Sequence, residues 1–135
     1  MNAYRILITG SRTWTDRDTI WRALGDTVAP IDITRETILV SGACPTGADA
    51  IAEAWARKYG LTIERHPAQD FGPWPACGPI RNQHMVSLGA DIALAFIGPC
   101  TSPRCRRTDP HPSHGASGCA DLAEQAGIPV RRMTA

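Results

Sequence analysis

The sequence predicts an α/β fold, a single Rossmann-like domain of about five mostly parallel strands with helices on both faces. Three observations carry this. Short apolar runs alternate along the chain with stretches of helical periodicity, as strands joined by crossover helices do. Most of these runs are apolar throughout, which marks strands covered on both faces. A length of 135 residues with 43% hydrophobic content suits one domain whose core needs no disulfide staple.

"YRILITG" (4–10) is the first strand, closed by Gly10. A helix is predicted over about 16–28, where Ile20, Trp21, Leu24 and Val28 recur at helical spacing. "TILVSG" (37–42) is the second strand. "TGADAIAEAWARKYG" (46–60) is the strongest helix, alanine-rich and closed by Gly60. "LTIERH" (61–66) alternates and so reads as a strand nearer an edge. "PAQDFGPWPACGP" (67–79), dense in Pro and Gly, is expected to be irregular. "IRNQHMVSLGA" (80–90) is a short helix and "DIALAFIG" (91–98) the most apolar strand. A long polar loop (98–118) precedes the helix "CADLAEQAG" (119–127) and the last strand "IPVRR" (128–132).

The formal net charge is +1, which argues against a chain whose main task is gripping nucleic-acid phosphates. No apolar run approaches the ~20 residues of a membrane span, and "MNAYRILITGSR" reads as a first strand rather than a signal peptide. The five cysteines point to reduced thiols or metal ligands, not a disulfide framework. The expectation is a cytoplasmic protein with no membrane partner.

In such sheets ligands bind outside the carboxyl ends of the strands, where strand order reverses. The loops after strands one, two and four carry the unusual residues. These are Gly10, Ser11 and Arg12; Ser41, Gly42, Thr46, Gly47 and Asp49; and Gly115, Ala116 and Ser117. Small residues allow a ligand to approach the backbone, and helix N-termini favour anions. Arg12 is placed to pair an anion and Asp49 to bond a ribose hydroxyl. Each loop alone is an ordinary tight turn; three on one edge favour a phosphate-bearing ligand. Neither the dinucleotide fingerprint nor the P-loop pattern occurs. Arg81 and Asn82 open the short helix after the Pro-Gly segment. They read either as surface residues or as a phosphate fork and a reader of base edge or ribose. His84 reads as a half-buried surface histidine and Cys77 as incidental. Phe71 and Trp74 form either a lid over a base or, the favoured reading, a plug at the sheet edge.

"ILITGSR", "ILVSGACPTGADAIAEAWA", "RNQHM", "ADIALAFI" and "HGASGCADLAEQAGIPV" together resemble the SLOG superfamily, specifically its small YspA-like branch, from residue 4 to about 132. The resemblance implies a Rossmann-like sheet with a pocket for nucleotides or nucleotide-derived ligands. The superfamily includes the lonely-guy phosphoribohydrolases, the DNA-processing protein DprA and molybdenum-cofactor carriers. Arg81 occupies the place of the substrate-contacting arginine of the phosphoribohydrolases. Their PGGxGT loop and following Glu correspond here to "HGASGCAD", in which two glycines and the threonine are replaced and the acid is Asp121. The resemblance therefore supports nucleotide binding better than hydrolysis. It also implies self-association through helices, for which Trp14, Trp21 and Trp55 are candidate contacts, each equally well placed in a core.

Cys100, Cys105, His111 and His114 offer the sulfur and nitrogen ligands that tetrahedral zinc prefers. Their spacing is not that of a zinc finger. It suits a compact zinc-stapled loop at 98–116 that closes an otherwise long irregular segment. Cys119 is a substitute ligand. A chance cluster in a polar loop is the plain alternative. Arg104, Arg106 and Arg107 make the loop locally basic.

The functional expectation is binding of a nucleotide or nucleotide-derived phosphorylated ligand at the carboxyl edge of the sheet, for sensing or sequestration. The first alternative is a phosphoribohydrolase on nucleoside monophosphates, using Arg81 and Asp121. The second is single-strand DNA binding, against which the near-neutral charge argues.

Overall fold

In the computed structural model, which describes residues 2–135, the chain runs β1 (Tyr4–Gly10), α1 (Arg17–Val28), β2 (Thr37–Ser41), α2 (Gly47–Lys58), β3 (Thr62–Arg65), α3 (Cys77–Ser87), β4 (Ile92–Ile97), α4 (His114–Gln125) and β5 (Val130–Thr134). The strands form one sheet in the order β3-β2-β1-β4-β5, and every pairing is parallel. β3, the alternating strand, is an edge. The chain steps from β1 outward to β3, then crosses to the far side of β1 as β4. The switch in direction lies between β1 and β4, where Gly10 pairs with Phe96. No helix among the described residues is long and apolar enough to cross a membrane.

Both faces of the central strands are buried because helices cover both. On one face Ile6, Ile8, Leu39, Leu94 and Phe96 pack against Ile20 and Leu24 of α1 and Ala52 and Trp55 of α2. Trp14 stands edge-on to Phe96, ring centroids 5.7 Å apart. On the other face Leu7, Val40 and Ala93 meet Met85 and Val86 of α3 and Cys119 and Ala123 of α4. Trp14 and Trp55 are each only 5% exposed, so they are core residues rather than contact residues.

α1 starts where Asp16 accepts a hydrogen bond from the Thr19 N–H (3.1 Å), an N-cap. On the α3 face, Arg5 of β1 reaches over β2 to Glu64 of β3. Its two terminal nitrogens donate to the two carboxylate oxygens at 2.9 Å each, and its Nε donates to the Gly89 carbonyl. This fork, first among the causes, holds the Glu64 carboxyl down at about 2.

Three boundaries differ from the sequence reading. The segment expected to be irregular contains a 3-10 turn, Ala68–Phe71, and the first residues of α3, which begins at Cys77. Pro79 is compatible with this because it lies in the first turn, where a missing N–H costs nothing. α4 begins at His114, five residues before Cys119. Gly115, Ala116 and Ser117 are therefore its first turn, not a loop before it. β5 is shifted to 130–134.

Candidate functional site

The carboxyl ends of β1, β2 and β4 open into one cleft of about 950 Å³. Its floor is stitched by Ser11. The Ser11 N–H donates to the Phe96 carbonyl (2.9 Å), and its hydroxyl accepts from the Gly98 N–H (2.7 Å). Its carbonyl accepts from the N–H groups of Trp14 and Ala48. One serine thus joins the loops after β1 and β4 to the start of α2.

The glycines around it face the protein's own atoms. Gly47 has φ of +72°, and a Cβ there would lie 2.3 Å from the Ser11 carbonyl oxygen. A Cβ on Gly42 would lie 2.6 Å from Arg81 Nη1, and one on Gly10 2.3 Å from Ala48 Cβ. Ser41 is fully buried; its hydroxyl donates to Glu53 Oε2 (2.7 Å) and accepts from the Ala43 N–H (3.0 Å). Glu53 Oε1 in turn accepts from Arg57 and Arg65. Ser41, Thr46, Gly47 and Ser117 do not line the cleft. Gly10, Ser11, Arg12, Gly42, Asp49, Arg81, Asn82, Gly115 and Ala116 do.

Asp49 sits at the base of the cleft, 7% exposed. Its Oδ2 accepts from the Cys44 N–H (3.2 Å), and Oδ1 has no partner among the described residues. Burial, opposed by that bond and by the Arg81 charge, pushes its carboxyl up to about 6. Arg81 lies against the carboxyl ends of β2 and β3. Nη1 donates to the Gly42 carbonyl (2.5 Å) and the His66 carbonyl (3.3 Å), and Nε donates to Asn82 Oδ1 (2.8 Å). That bond turns the Asn82 amide so that Nδ2, without a partner among the described residues, remains a donor on a residue 8% exposed. Arg12 stands 4.8 Å from the Trp74 ring centroid, a cation–π contact across the mouth. Trp74 is 60% exposed and walls the cleft. Phe71 packs on His84 at 5.1 Å.

The remaining wall is the first turn of α4. Its cap residue Ser113 makes no side-chain cap bond, and the N–H groups of His114, Gly115 and Ala116 have no partner among the described residues. A Cβ at Gly115 or Gly118 would meet nothing within 4 Å, so the turn is open to the cleft. Asp121 lies on this wall, but its Oδ1 accepts from Arg132 (2.8 Å) and its side chain is 60% exposed. Cys44, which the sequence reading did not single out, is also on the lining.

Beside α4 the loop 98–113 gathers Cys100, Cys105, His111 and His114, whose ligand atoms all lie within 4.8 Å of one another. His111 Nε2 is 3.2 Å from His114 Nε2 and 3.3 Å from Cys105 Sγ; His114 Nε2 is 3.4 Å from Cys105 Sγ. A tetrahedral centre with sulfur and nitrogen ligands has edges of about 3.3–3.8 Å, given its bond lengths. His111 Nδ1 is 2.7 Å from the Asp109 carbonyl, which can only accept, so Nδ1 carries the proton and Nε2 presents its lone pair inward. The cluster can hold a metal ion. Cys119 is not part of it. It is fully buried between the sheet and α3, and burial pushes its thiol up.

The Gene 61 protein of Mycobacterium phage D29 is 38% identical to this chain over 133 residues, 93% of each. A family profile, that of the YspA, cpYpsA-related SLOG family, matches residues 4–70. The chain belongs to this SLOG family. No solved structure matches it. The profile match ends at the 3-10 turn, so it includes the loops after β1 and β2. The α3 and α4 walls and the Cys/His cluster lie beyond it.

Proposed function

We propose that the cleft binds a nucleotide or nucleotide-derived phosphorylated ligand, for sensing or sequestration. The observation that carries this is convergence. The loops after β1, β2 and β4 face a single cleft at the strand-order switch, where open α/β sheets take their ligands. The uncapped first turn of α4 suits the phosphate, with Arg12 as a second positive partner. Asp49 Oδ1 is a free acceptor for a ribose hydroxyl, and Asn82 Nδ2 a free donor for a base or ribose oxygen. Membership of the SLOG family supports a nucleotide-related ligand. The Cys/His loop takes Zn2+ in a structural role: four protein ligands leave no open position for chemistry.

A phosphoribohydrolase remains the second reading, with a different acid. Asp121 is tied to Arg132, whereas Asp49 is buried in the cleft with its carboxyl raised to about 6, the condition in which a carboxyl donates or accepts a proton near neutrality. Isothermal titration of the zinc-loaded protein with a nucleoside monophosphate panel, with chromatography for released base, tests both. Saturable binding without base release supports binding alone; base release lost in Asp49→Asn supports the enzyme. Neither heat nor released base with any nucleotide removes both.

A further inference from the structure

We propose that metal occupancy of the Cys100–Cys105–His111–His114 cluster controls ligand binding in the cleft, because the ion would pin one cleft wall. The proposal rests on the ligand reading above for its consequence, though not for its geometry.

The wall and the cluster are one piece of chain. Cys100, Cys105 and His114 line the cleft as well as offering metal ligands. His114 is the first residue of α4, so a bond from its Nε2 to an ion fixes the turn whose N–H groups face the cleft. Residues 99–105 form the adjoining wall.

Little else holds that wall. Among the described residues, the backbone bonds of the loop close its neck. Cys100 N–H donates to the His111 carbonyl, Ser113 N–H donates to the Gly98 carbonyl, and Pro99 and Pro112 form an antiparallel bridge. Between them the bonds are local: Cys105 N–H to the Ser102 carbonyl, and Arg107 to Asp109. No residue from 101 to 110 is buried, and none belongs to a core cluster. A segment with few apolar contacts opens at low free energy, and a cross-link at its centre removes most of that freedom. With the ion in place the wall and the α4 turn are ordered before a ligand arrives. Without it, ligand binding must order the 99–105 wall, while the α4 turn stays anchored through Ala116, which packs against Ala95, Ile97 and Ala120. Linkage then makes the effect reciprocal: the ligand raises metal affinity by the factor by which metal raises ligand affinity.

The test uses the full chain, zinc-loaded and chelator-treated, with far-UV circular dichroism to verify that the sheet persists. Peptide-resolved hydrogen exchange is the first readout. The hydrogen-bonded amides of Cys100 and Cys105 should exchange at least tenfold faster without zinc, while those of β1 and β2 stay unchanged. Unchanged exchange at Cys100 and Cys105 overturns the proposal, as does a stoichiometry other than one zinc per chain. Co2+ substitution should give the visible bands of a tetrahedral thiolate site; an octahedral spectrum overturns it. The second readout is titration with AMP and with inorganic phosphate. Binding of either probe should be at least tenfold tighter with zinc, and equal affinities overturn the coupling. If neither probe binds in either state, the coupling to ligand falls, the exchange data still decide whether the ion orders the wall, and the nucleotide panel decides the ligand reading. Cys105→Ser should reproduce the chelated state in every readout; a variant that behaves as zinc-loaded wild type counts against the proposal.

Discussion

Gly47 and Gly60 provide a matched pair in which conformation is the same and surroundings differ. Both have φ of +72°, but a Cβ on Gly60 meets nothing within 4 Å, whereas one on Gly47 lies 2.3 Å from the Ser11 oxygen and 2.5 and 2.6 Å from Arg12 backbone atoms. Gly60→Ala therefore costs only the left-handed backbone of an L residue, about 1–2 kcal/mol. Gly47→Ala adds an overlap that only backbone movement relieves, about 1–3 kcal/mol by analogy with overpacking. Moving Ser11 also weakens the Ala48 N–H to Ser11 carbonyl bond, a further ~1 kcal/mol. The expected loss is about 3–6 kcal/mol for Gly47→Ala. For a domain of this length each kcal/mol is about 3–4 °C in Tm. Urea unfolding followed by tryptophan fluorescence, in saturating zinc, measures both variants. Equal losses of midpoint in the two would refute the packing argument for the β1 and α2 junction. A lower slope in Gly47→Ala would instead mean that its native state had loosened.

Two pH effects run in opposite directions. The Asp49 carboxyl is raised to about 6 from 3.8, so the folded state keeps a proton that the unfolded chain has lost. Stability should fall as pH rises from about 4 to 6 and level off above. Asp49→Asn should flatten that decline in urea midpoints taken across the window; an unchanged slope would show that Asp49 is not its source. The Glu64 carboxyl is lowered to about 2 from 4.5, so its contribution is complete above about 4.5 and is lost as pH falls toward 2. Arg5→Met should remove that acid-side loss, and a variant with the wild-type acid limb would contradict the role given to the fork. Ser41→Ala deprives the Glu53 carboxylate and the Ala43 N–H of their buried partner, for an expected loss of about 1–3 kcal/mol; a loss under 0.5 kcal/mol by the same unfolding assay, the low end for a net hydrogen bond, would mean that water replaces the hydroxyl.

The strand–helix alternation was readable because β1, β2 and β4 are buried on both faces and so spelled as unbroken apolar runs, while β3 at the edge kept its alternation. Helix starts were harder. "HGASG" reads as a loop because glycine disfavours helix interiors, yet the Ser117 N–H to Ser113 carbonyl bond closes a turn there. Pro79 hid the start of α3 for a similar reason. The site was harder still. A glycine spared for a ligand and a glycine spared for a neighbouring backbone look identical in sequence; Gly10, Gly42 and Gly47 meet atoms of the protein itself. Ser41 likewise looked available for a ligand, and its partner Glu53 lies twelve residues on, across the strand–helix crossover. The Cys/His cluster was readable because its ligand types are rare and local, whereas nothing near Asp121 in sequence announces Arg132.

Ser11 has a consequence for how this scaffold acquires preferences. Its amide and carbonyl are bonded to neighbouring segments and its hydroxyl oxygen accepts from the Gly98 N–H, so the junction of the two innermost loops is tied together before anything enters. Discrimination between one proposed guest and another then falls to Asp49 and Asn82 beside that junction and, at the periphery, to the Trp74 segment and the cysteine- and histidine-bearing strap. Relatives could exchange those two pieces while leaving the Ser11 junction untouched.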